Sequence, residues 1–346
     1  MAQVRHKQGR LLGMMSILGF DIKNRAILDS MTADIVTSSE IEGIVLNAND
    51  VRSSIAWQLG IENIGLPTAD RYIEGVVEVM FDAVHNNSEP LTKERLFGWH
   101  SALFPKANRL QHITVGGWRE GEMPMQVVSG RYGNEKVHYE APESAKVPRM
   151  MDEFLNWIQE EKQTDKILMS AIAHLWFVSI HPFSDGNGRI GRIIMDMMLA
   201  KADEIPYRFY SMSAAIGRNR KTYYEVLEKT QKGGLDITEW LIWFLECLEE
   251  AIGKALEIVT NTLHKTAFWE NHRHTAMNER QTKMVNILWD GFEGNLTSGK
   301  WAKITKCSSD TALRDIQDLL QKNVLRKTDA GGRSTSYELN IEENML

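Results

Sequence analysis

The chain has 346 residues, with 40 Lys and Arg against 46 Asp and Glu, a net charge of −6. That balance argues against wholesale nucleic-acid binding. A hydrophobic content of 43% and a charged content of 25% are ordinary for a soluble globular protein, long enough for two domains or for one with attachments. Charges interrupt every apolar stretch, the opening Met1-Ala2-Gln3-Val4-Arg5-His6-Lys7-Gln8 has no apolar core, and Cys247 and Cys307 lie far apart. A membrane span, a secretory signal, a disulfide framework and a zinc site are therefore not expected, and the cytoplasm is the natural compartment.

Patterning predicts a mainly α chain. Residues 3–62 read as helices over Leu11 to Phe20, Asp34 to Ile41 and Ala48 to Leu59, and Gly65-Leu66-Pro67-Thr68 marks a break. Asp70 to His85 is an amphipathic helix with Ile73, Val76, Val77, Met80 and Phe81 on one side. Thr92 is placed to cap the next one. Glycines and alternating β-formers over 116–142 predict a hairpin, with Met125–Val128 and Lys136–Tyr139 flanking a loop at Ser129–Glu135. Thr164 to Ile180 is apolar nearly all round and reads as a buried helix, ended by Pro182 because the residue before a proline leaves the α region. Arg189 to Ala202 is helical again, with Ile190, Ile193, Ile194, Met197 and Met198 three to four apart. A helix around Ile216–Leu227 and one or two long ones from Asp236 to about Thr266 follow.

Residues 278–340 look like a separate unit. Helices at Arg280–Leu288, Ser298–Thr305 and Ser309–Lys322 precede two short strands at Val324–Lys327 and Ser334–Leu339, which flank Ala330–Arg333. Helix, helix, helix, hairpin resembles a winged helix-turn-helix. This stretch holds ten Lys/Arg and eight Asp/Glu, a net of +2 against −8 for the remainder. That leaves DNA contact through 278–340 open, since Asp310, Asp315 and Asp318 stand beside Arg314 and Lys322 on the third helix, and many such modules dock proteins instead.

The most informative run is His181-Pro182-Phe183-Ser184-Asp185-Gly186-Asn187-Gly188-Arg189-Ile190-Gly191-Arg192. It is a tight loop between two core helices, with Gly186, Asn187 and Gly188 at the second helix's N-terminus. Free N–H groups and the positive dipole end make such a place an anion site, and glycines let the backbone approach phosphate oxygens. Asp185 is a hard oxygen ligand suited to a Mg²⁺ that bridges phosphates. Arg189 and Arg192, at i and i+3, can fork onto phosphates. His181 can take a proton from a hydroxyl near neutral pH. Singly, a His-Pro and a Gly-Asn-Gly are usually structural; in this order between apolar helices they point to gripping a nucleotide polyphosphate. The spacing matches no P-loop, zinc-protease helix or dinucleotide fingerprint.

Residue for residue, the run resembles the signature of Fic-domain proteins: H-P-F, a free position, an acid, G-N-G-R, two free positions, R. The resemblance implies a helical catalytic core that transfers AMP from ATP to a protein hydroxyl. It makes His181 the catalytic base and Asp185 the Mg²⁺ ligand. Gly186, Asn187 and Gly188 become the anion hole, Arg189 a phosphate contact and Arg192 the γ-phosphate contact. It also gives meaning to Ser38-Ser39-Glu40-Ile41-Glu42-Gly43, which is similar to the family's inhibitory motif: Ser38, then Glu42, then Gly43. Read alone, Glu42-Gly43 is a helix C-terminus with Gly at C′. Within the family, Glu42 pairs with Arg192 and denies it to the γ-phosphate. The hairpin resembles the family's flap, which aligns a target segment by strand addition; otherwise it is a surface decoration. Asn219, Tyr223 and Tyr224 resemble an N-R-x-x-Y-Y element that lines the adenosine end, although a packed helix with a buried Tyr pair explains them equally well.

The expected architecture is therefore a Fic-type helical core at 67–270 with a β-hairpin flap, preceded by an inhibitory helical region at 1–66 and followed by a winged helix at 278–340. The expected activity is autoinhibited AMP transfer, with Mg²⁺ as cofactor and ATP as co-substrate, onto a Ser, Thr or Tyr of a target protein or of the chain itself. The alternatives are a nucleotide-sensing winged-helix regulator and removal of AMP using Glu42. Fic proteins often dimerise, so a homodimer is a further possibility; no membrane partner is expected.

Overall fold

The computed structural model describes residues 1–61, 70–105, 113–122, 124–131, 134–328 and 335–341, without the side chains of 129–131 and 134–135. The Gly65–Thr68 break with the 66/67 boundary, Tyr132 and Gly133 of the hairpin loop, and Ala330–Arg333 with Ser334 lie outside the described residues.

The chain divides into two compact units, Met1–Leu256 and Glu257–Leu346. The first holds α1 (Ala2–Ile17), α2 (Phe20–Ile41), α3 (Ala48–Gln58), α4 (Arg71–His85), α5 (Lys93–Leu103), β1 (Gln126–Arg131), β2 (Asn134–Glu140), α6 (Val147–Glu160), α7 (Lys166–Ile180), α8 (Asn187–Asp203), α9 (Met212–Arg218) and α10 (Arg220–Lys232). Helix α11 (Thr238–Asn271) crosses the boundary. The second unit adds α12 (Glu279–Trp289), α13 (Ser298–Thr305), α14 (Ser309–Gln321), β3 (Leu325–Lys327) and β4 (Tyr337–Leu339).

The antiparallel helices α7 and α8 form the centre of the first unit. Residues such as Phe177, Ile180, Ile190, Ile194, Met195 and Leu199 are shut off from solvent, because both helices are apolar nearly all round. Asp165 caps α7 by accepting from the Ile167 amide at 2.8 Å. Gly191 lets the two helices approach, since a Cβ there would press on Val178 Cγ1. Strands β1 and β2 pair antiparallel, with a register shift at Val127/Val128, and they run longer than the sequence pattern suggests, reaching Arg131 and Asn134.

The N-terminal helices differ from the sequence reading. Phe20 opens α2 instead of closing the preceding helix, and α2 runs unbroken through residue 34 to Ile41. Extended backbone at Leu18 and Gly19 makes the break. The buried face of α2 mixes Ile27, Met31 and Ile35 with Ser30, Asp34 and Ser38, so polar residues at core spacing interrupt the apolar period.

Those polar residues are matched from α8 and the segment after it. Asp34 accepts from Ser211 Oγ at 2.6 Å and from the Ser213 amide at 3.0 Å. Ser30 donates to the Arg208 carbonyl at 2.6 Å. Arg208, itself buried, pairs with Asp196 of α8 and lies 3.9 Å from Asp34. Burial pushes the Asp196 carboxyl up to about 7 against the pull of Arg208. Burial opposes the charge on Arg208 too, but Asp196 and Asp34 together raise its pKa.

In the second unit a core of Phe268, Met284, Val285, Trp301, Ile316 and Leu319 is closed by Leu325, Tyr337 and Leu339 of the antiparallel β3–β4 pair. Asn278 and Gln281 form a reciprocal capping box on α12. Asp315 of α14 is buried, and Arg280 of α12 holds it through two bonds at 2.8 and 3.0 Å.

Replacing Arg208 with Leu would strand two buried carboxylates, so folding stability in urea falls by about 3–5 kcal/mol at pH 8. Burial shifts both carboxyls upward, Asp196 to about 7, so protonation relieves the stranded charge as pH falls and the loss is smaller at pH 5. An equal loss at both pH values would contradict this account.

Candidate active site: the α7–α8 loop and the end of α2

His181 caps α7 in the left-handed region, with φ 52° and ψ 57°. This strained backbone turns the chain into the loop and is held by Arg119, which sequence reasoning missed. Arg119 Nε donates to the His181 carbonyl at 2.8 Å, its backbone N–H donates to the Pro182 carbonyl at 2.8 Å, and its guanidinium also reaches the Pro142 carbonyl. The His181 ring places Nδ1 3.2 Å from the Val178 carbonyl. A carbonyl only accepts, so Nδ1 carries the hydrogen and Nε2 is left as the basic nitrogen. Burial lowers the pKa of His181, partly offset by the Val178 bond.

Asn187 fastens the loop rather than offering its amide to a ligand. Its Oδ1 accepts from the Phe183 N–H at 2.9 Å and its Nδ2 donates to the Phe183 carbonyl at 2.8 Å. His100 of α5, a second residue the sequence gave no sign of, stacks on Phe183 with centroids 4.2 Å apart. The Gly116 amide donates to its Nδ1 at 3.1 Å, so its Nε2–H donates to the Asp185 carbonyl at 3.2 Å. Burial drives its pKa down to about 4, which keeps the ring neutral and the bond intact. Gly186 has φ +79°, and a Cβ there would press on the Phe104 ring, so both conformation and space call for glycine.

Asp185 leaves its carboxylate 58% exposed, with Oδ1 accepting from the Gly186 amide at 2.6 Å and Oδ2 3.9 Å from Arg189. No cluster of three metal-ligating side chains occurs among the described residues. One exposed carboxylate fits a Mg²⁺ held chiefly by phosphate oxygens, not an all-protein cage. Arg189 is buried, bonded to the Tyr72 hydroxyl at 2.8 Å and stacked 4.9 Å from the Phe104 ring centre.

Arg192 joins the loop to α2. Its side chain is 1% exposed, and it donates through Nε to Ser38 Oγ at 2.8 Å and through Nη2 to the Ser38 carbonyl at 2.9 Å and Glu42 Oε1 at 2.7 Å. Glu42 is the C-cap of α2, and Gly43 follows with φ +79°. The Ile44 amide returns to the Ser39 carbonyl at 2.9 Å, closing the helix. A Cβ on Gly188 would collide with Glu42 Oε1. The Glu42 carboxylate therefore lies against the first turn of α8 itself, where an anion is best stabilised.

These groups face a cleft of ≈ 700 Å³ lined by Glu42, His181, Gly188, Arg192 and both strands of the hairpin. Two bonds anchor the hairpin beside it: Tyr139 to the Ser179 carbonyl at 2.7 Å and His138 to Glu228 at 2.6 Å. Tyr223 and Tyr224 reach the cleft, Tyr223 as a buried ring whose hydroxyl lies 2.9 Å from His174 Nε2. Asn219 does not reach it; its amide is bonded to Glu250 at 2.7 Å and to the Ala215 carbonyl at 3.0 Å.

The model of the Fic/DOC family matches residues 90–199, and DUF4172, a domain of unknown function, matches residues 1–61. A probable protein adenylyltransferase of Aquifex aeolicus (strain VF5) is 33% identical over 227 residues, 64% of this chain and 62% of that protein. Protein adenylyltransferase Fic of Nematostella vectensis is 24% identical over 252 residues, 68% of this chain and 51% of that one. The chain thus spans less than two thirds of the length of either relative. In fold it is similar to a Fic family protein from Desulfovibrio desulfuricans G20, with a TM-score of 0.53 at 20% identity over 98% of this chain and 95% of that one. It is likewise similar to Fic-1 from C. elegans, with a TM-score of 0.52 at 18% identity over 75% and 73%. With the helical fold, the complete His181–Arg192 run and the family match in agreement, this chain carries a Fic domain over residues 90–199.

Proposed function

We propose that the chain transfers AMP from MgATP to a hydroxyl of a target protein, or of itself, and that Glu42 holds this activity down. The observation that carries the reading is the joint use of one site: Glu42 binds Arg192 and covers Gly188, the guanidinium and the helix end that a polyphosphate would need. The similarity to adenylyltransferases favours AMP transfer over the nucleotide-sensing regulator.

His181 Nε2 removes the proton as the hydroxyl oxygen attacks the α-phosphorus; the bond to the β-phosphate breaks and pyrophosphate leaves. The α8 N–H groups at Gly186, Asn187 and Gly188 hold phosphate oxygens, Arg189 adds a phosphate contact and Arg192 fixes the γ-phosphate. A Mg²⁺ held at Asp185 would neutralise phosphate charge. To hold a phosphate oxygen, the Gly186 N–H must give up its bond to Asp185 Oδ1. Tyr223 and Tyr224 belong to the adenosine side, whereas Asn219 positions the α9–α10 corner.

With wild type, Glu42→Gly and Glu42→Gly/His181→Ala incubated with ATP labelled at the α-phosphate, label rises by about one order of magnitude or more in Glu42→Gly, since the buried Arg192 loses its carboxylate partner and takes the γ-phosphate instead. The double variant stays unlabelled. Equal, negligible labelling of wild type and Glu42→Gly, with ATP still bound, would sink the reading.

The base works in its neutral form, and burial depresses the His181 pKa below its ordinary 6.5. The labelling rate of Glu42→Gly is therefore flat above neutrality and falls only below that value. A half-maximal rate at or above pH 7 would contradict the assignment of His181.

For the second unit, contact with DNA through α14 is a second reading. Asp315 is engaged by Arg280, and Asp318 by Lys322 and Gln281, which leaves Leu313, Arg314 and Gln317 outward together with the acid Asp310. Binding to random duplex DNA that weakens steeply with salt would support this, and salt-independent or absent binding would point to a protein partner.

A further inference from the structure

The end of α2 is held by a second arginine. Arg220, the first residue of α10, donates through Nη2 to the Ile41 carbonyl at 2.7 Å, and its guanidinium lies 5.9 Å from the Tyr224 ring centre. Ile41 is the last helical residue of α2 and stands beside Glu42. Its carbonyl belongs to the group that a helix leaves without internal partners, and a cation there also opposes the negative end of the helix dipole. Arg192 therefore grips the turn from α8 through Ser38 and Glu42, and Arg220 grips the same turn from α10 through Ile41.

The rest of α2 is fastened in a different way. Asp34 is bonded to Ser211 and to the Ser213 amide, Ser30 to the Arg208 carbonyl, and Thr37 lies against Gly217 so closely that a Cβ there would collide with it. These groups are buried or sit in the core between α2, α8 and α9. They do not touch the cleft, whereas Arg220 lines it and is exposed. The last turn is the part of α2 whose bonds face the nucleotide site.

Resting on the adenylyltransferase reading above, we propose that Arg220 is a positioning residue for inhibition: it latches the Ser38–Gly43 turn so that Glu42 stays on Arg192. Relief of inhibition then loosens this turn and leaves the remainder of α2 docked. Arg220 takes no part in the transfer itself.

The test uses the full chain as wild type, Arg220→Ala, Arg220→Lys, Glu42→Gly and Glu42→Gly/Arg220→Ala, with MgATP labelled at the α-phosphate. An exposed cation at a helix C-terminus has a modest effect, so Arg220→Ala raises labelling about two- to fivefold over wild type. Arg220→Lys, which can still donate to the carbonyl, stays nearer wild type. In the Glu42→Gly background the Ala substitution changes nothing, because the carboxylate it helped to place is gone. No rise in Arg220→Ala would overturn the proposal, and so would a comparable fall in both backgrounds, which would make Arg220 part of the nucleotide site. Amide hydrogen exchange gives a readout that needs no activity. Arg220→Ala speeds exchange at Gly43 and Ile44 and leaves residues 27–36 unchanged; unchanged exchange at Gly43 and Ile44 refutes the latch even if Glu42→Gly proves silent and the transfer reading fails.

Discussion

A guanidinium that is almost fully buried must have partners, and the arrangement of this site follows from how Arg192 finds them. A buried cation left alone is far more costly than one that is paired and hydrogen-bonded. In this chain the partners come from the last turn of α2, namely the Ser38 hydroxyl, the Ser38 carbonyl and the Glu42 carboxylate. A phosphate group offers the same kind of acceptor in the same place. On the proposed function, the arginine that would hold a γ-phosphate is already satisfied, and a nucleotide would have to compete with a carboxylate to use it.

The surrounding fold makes that competition specific. Gly188 has no side chain where the Glu42 carboxylate lies, so the acid reaches both Arg192 and the N-terminal turn of α8. The loop that carries His181, Asp185 and the glycines is fixed by Arg119 on one side and His100 on the other, both by bonds to backbone carbonyls. Because His100 is neutral at physiological pH, its bond to Asp185 does not titrate with the chemistry next to it.

How far the sequence revealed this depended on whether a feature was local. The His181–Arg192 loop is contiguous, its flanking helices are strongly apolar, and the types and order of its side chains carry the chemistry, so it could be read directly. The Glu42-Gly43 helix end was legible for the same reason, as a Gly at C′. The full length of α2 was not, because Ser30, Asp34 and Ser38 stand at core positions where apolar residues mark the period, and they are tolerated there through partners far along the chain, Ser30 and Asp34 at Arg208–Ser213 and Ser38 at Arg192. Tyr72, His100 and Arg119 come from three separate elements and carry no local pattern; only the fold brings them to the loop. Asn219 stands at a spacing that a ligand contact and a packed helix explain equally well, and its amide is bonded to Glu250 and the Ala215 carbonyl. On α14, Asp315 and Asp318 are engaged by Arg280, Gln281 and Lys322, whereas Asp310 is exposed.

The central claim, that Glu42 and the terminal phosphate contend for Arg192, is tested most directly by titration calorimetry of ATP and ADP on wild type and Glu42→Gly. The account predicts that the substitution strengthens ATP binding clearly more than ADP binding, because only ATP carries the γ-phosphate that takes the freed guanidinium. Equal changes for the two nucleotides, or none for either, would contradict it.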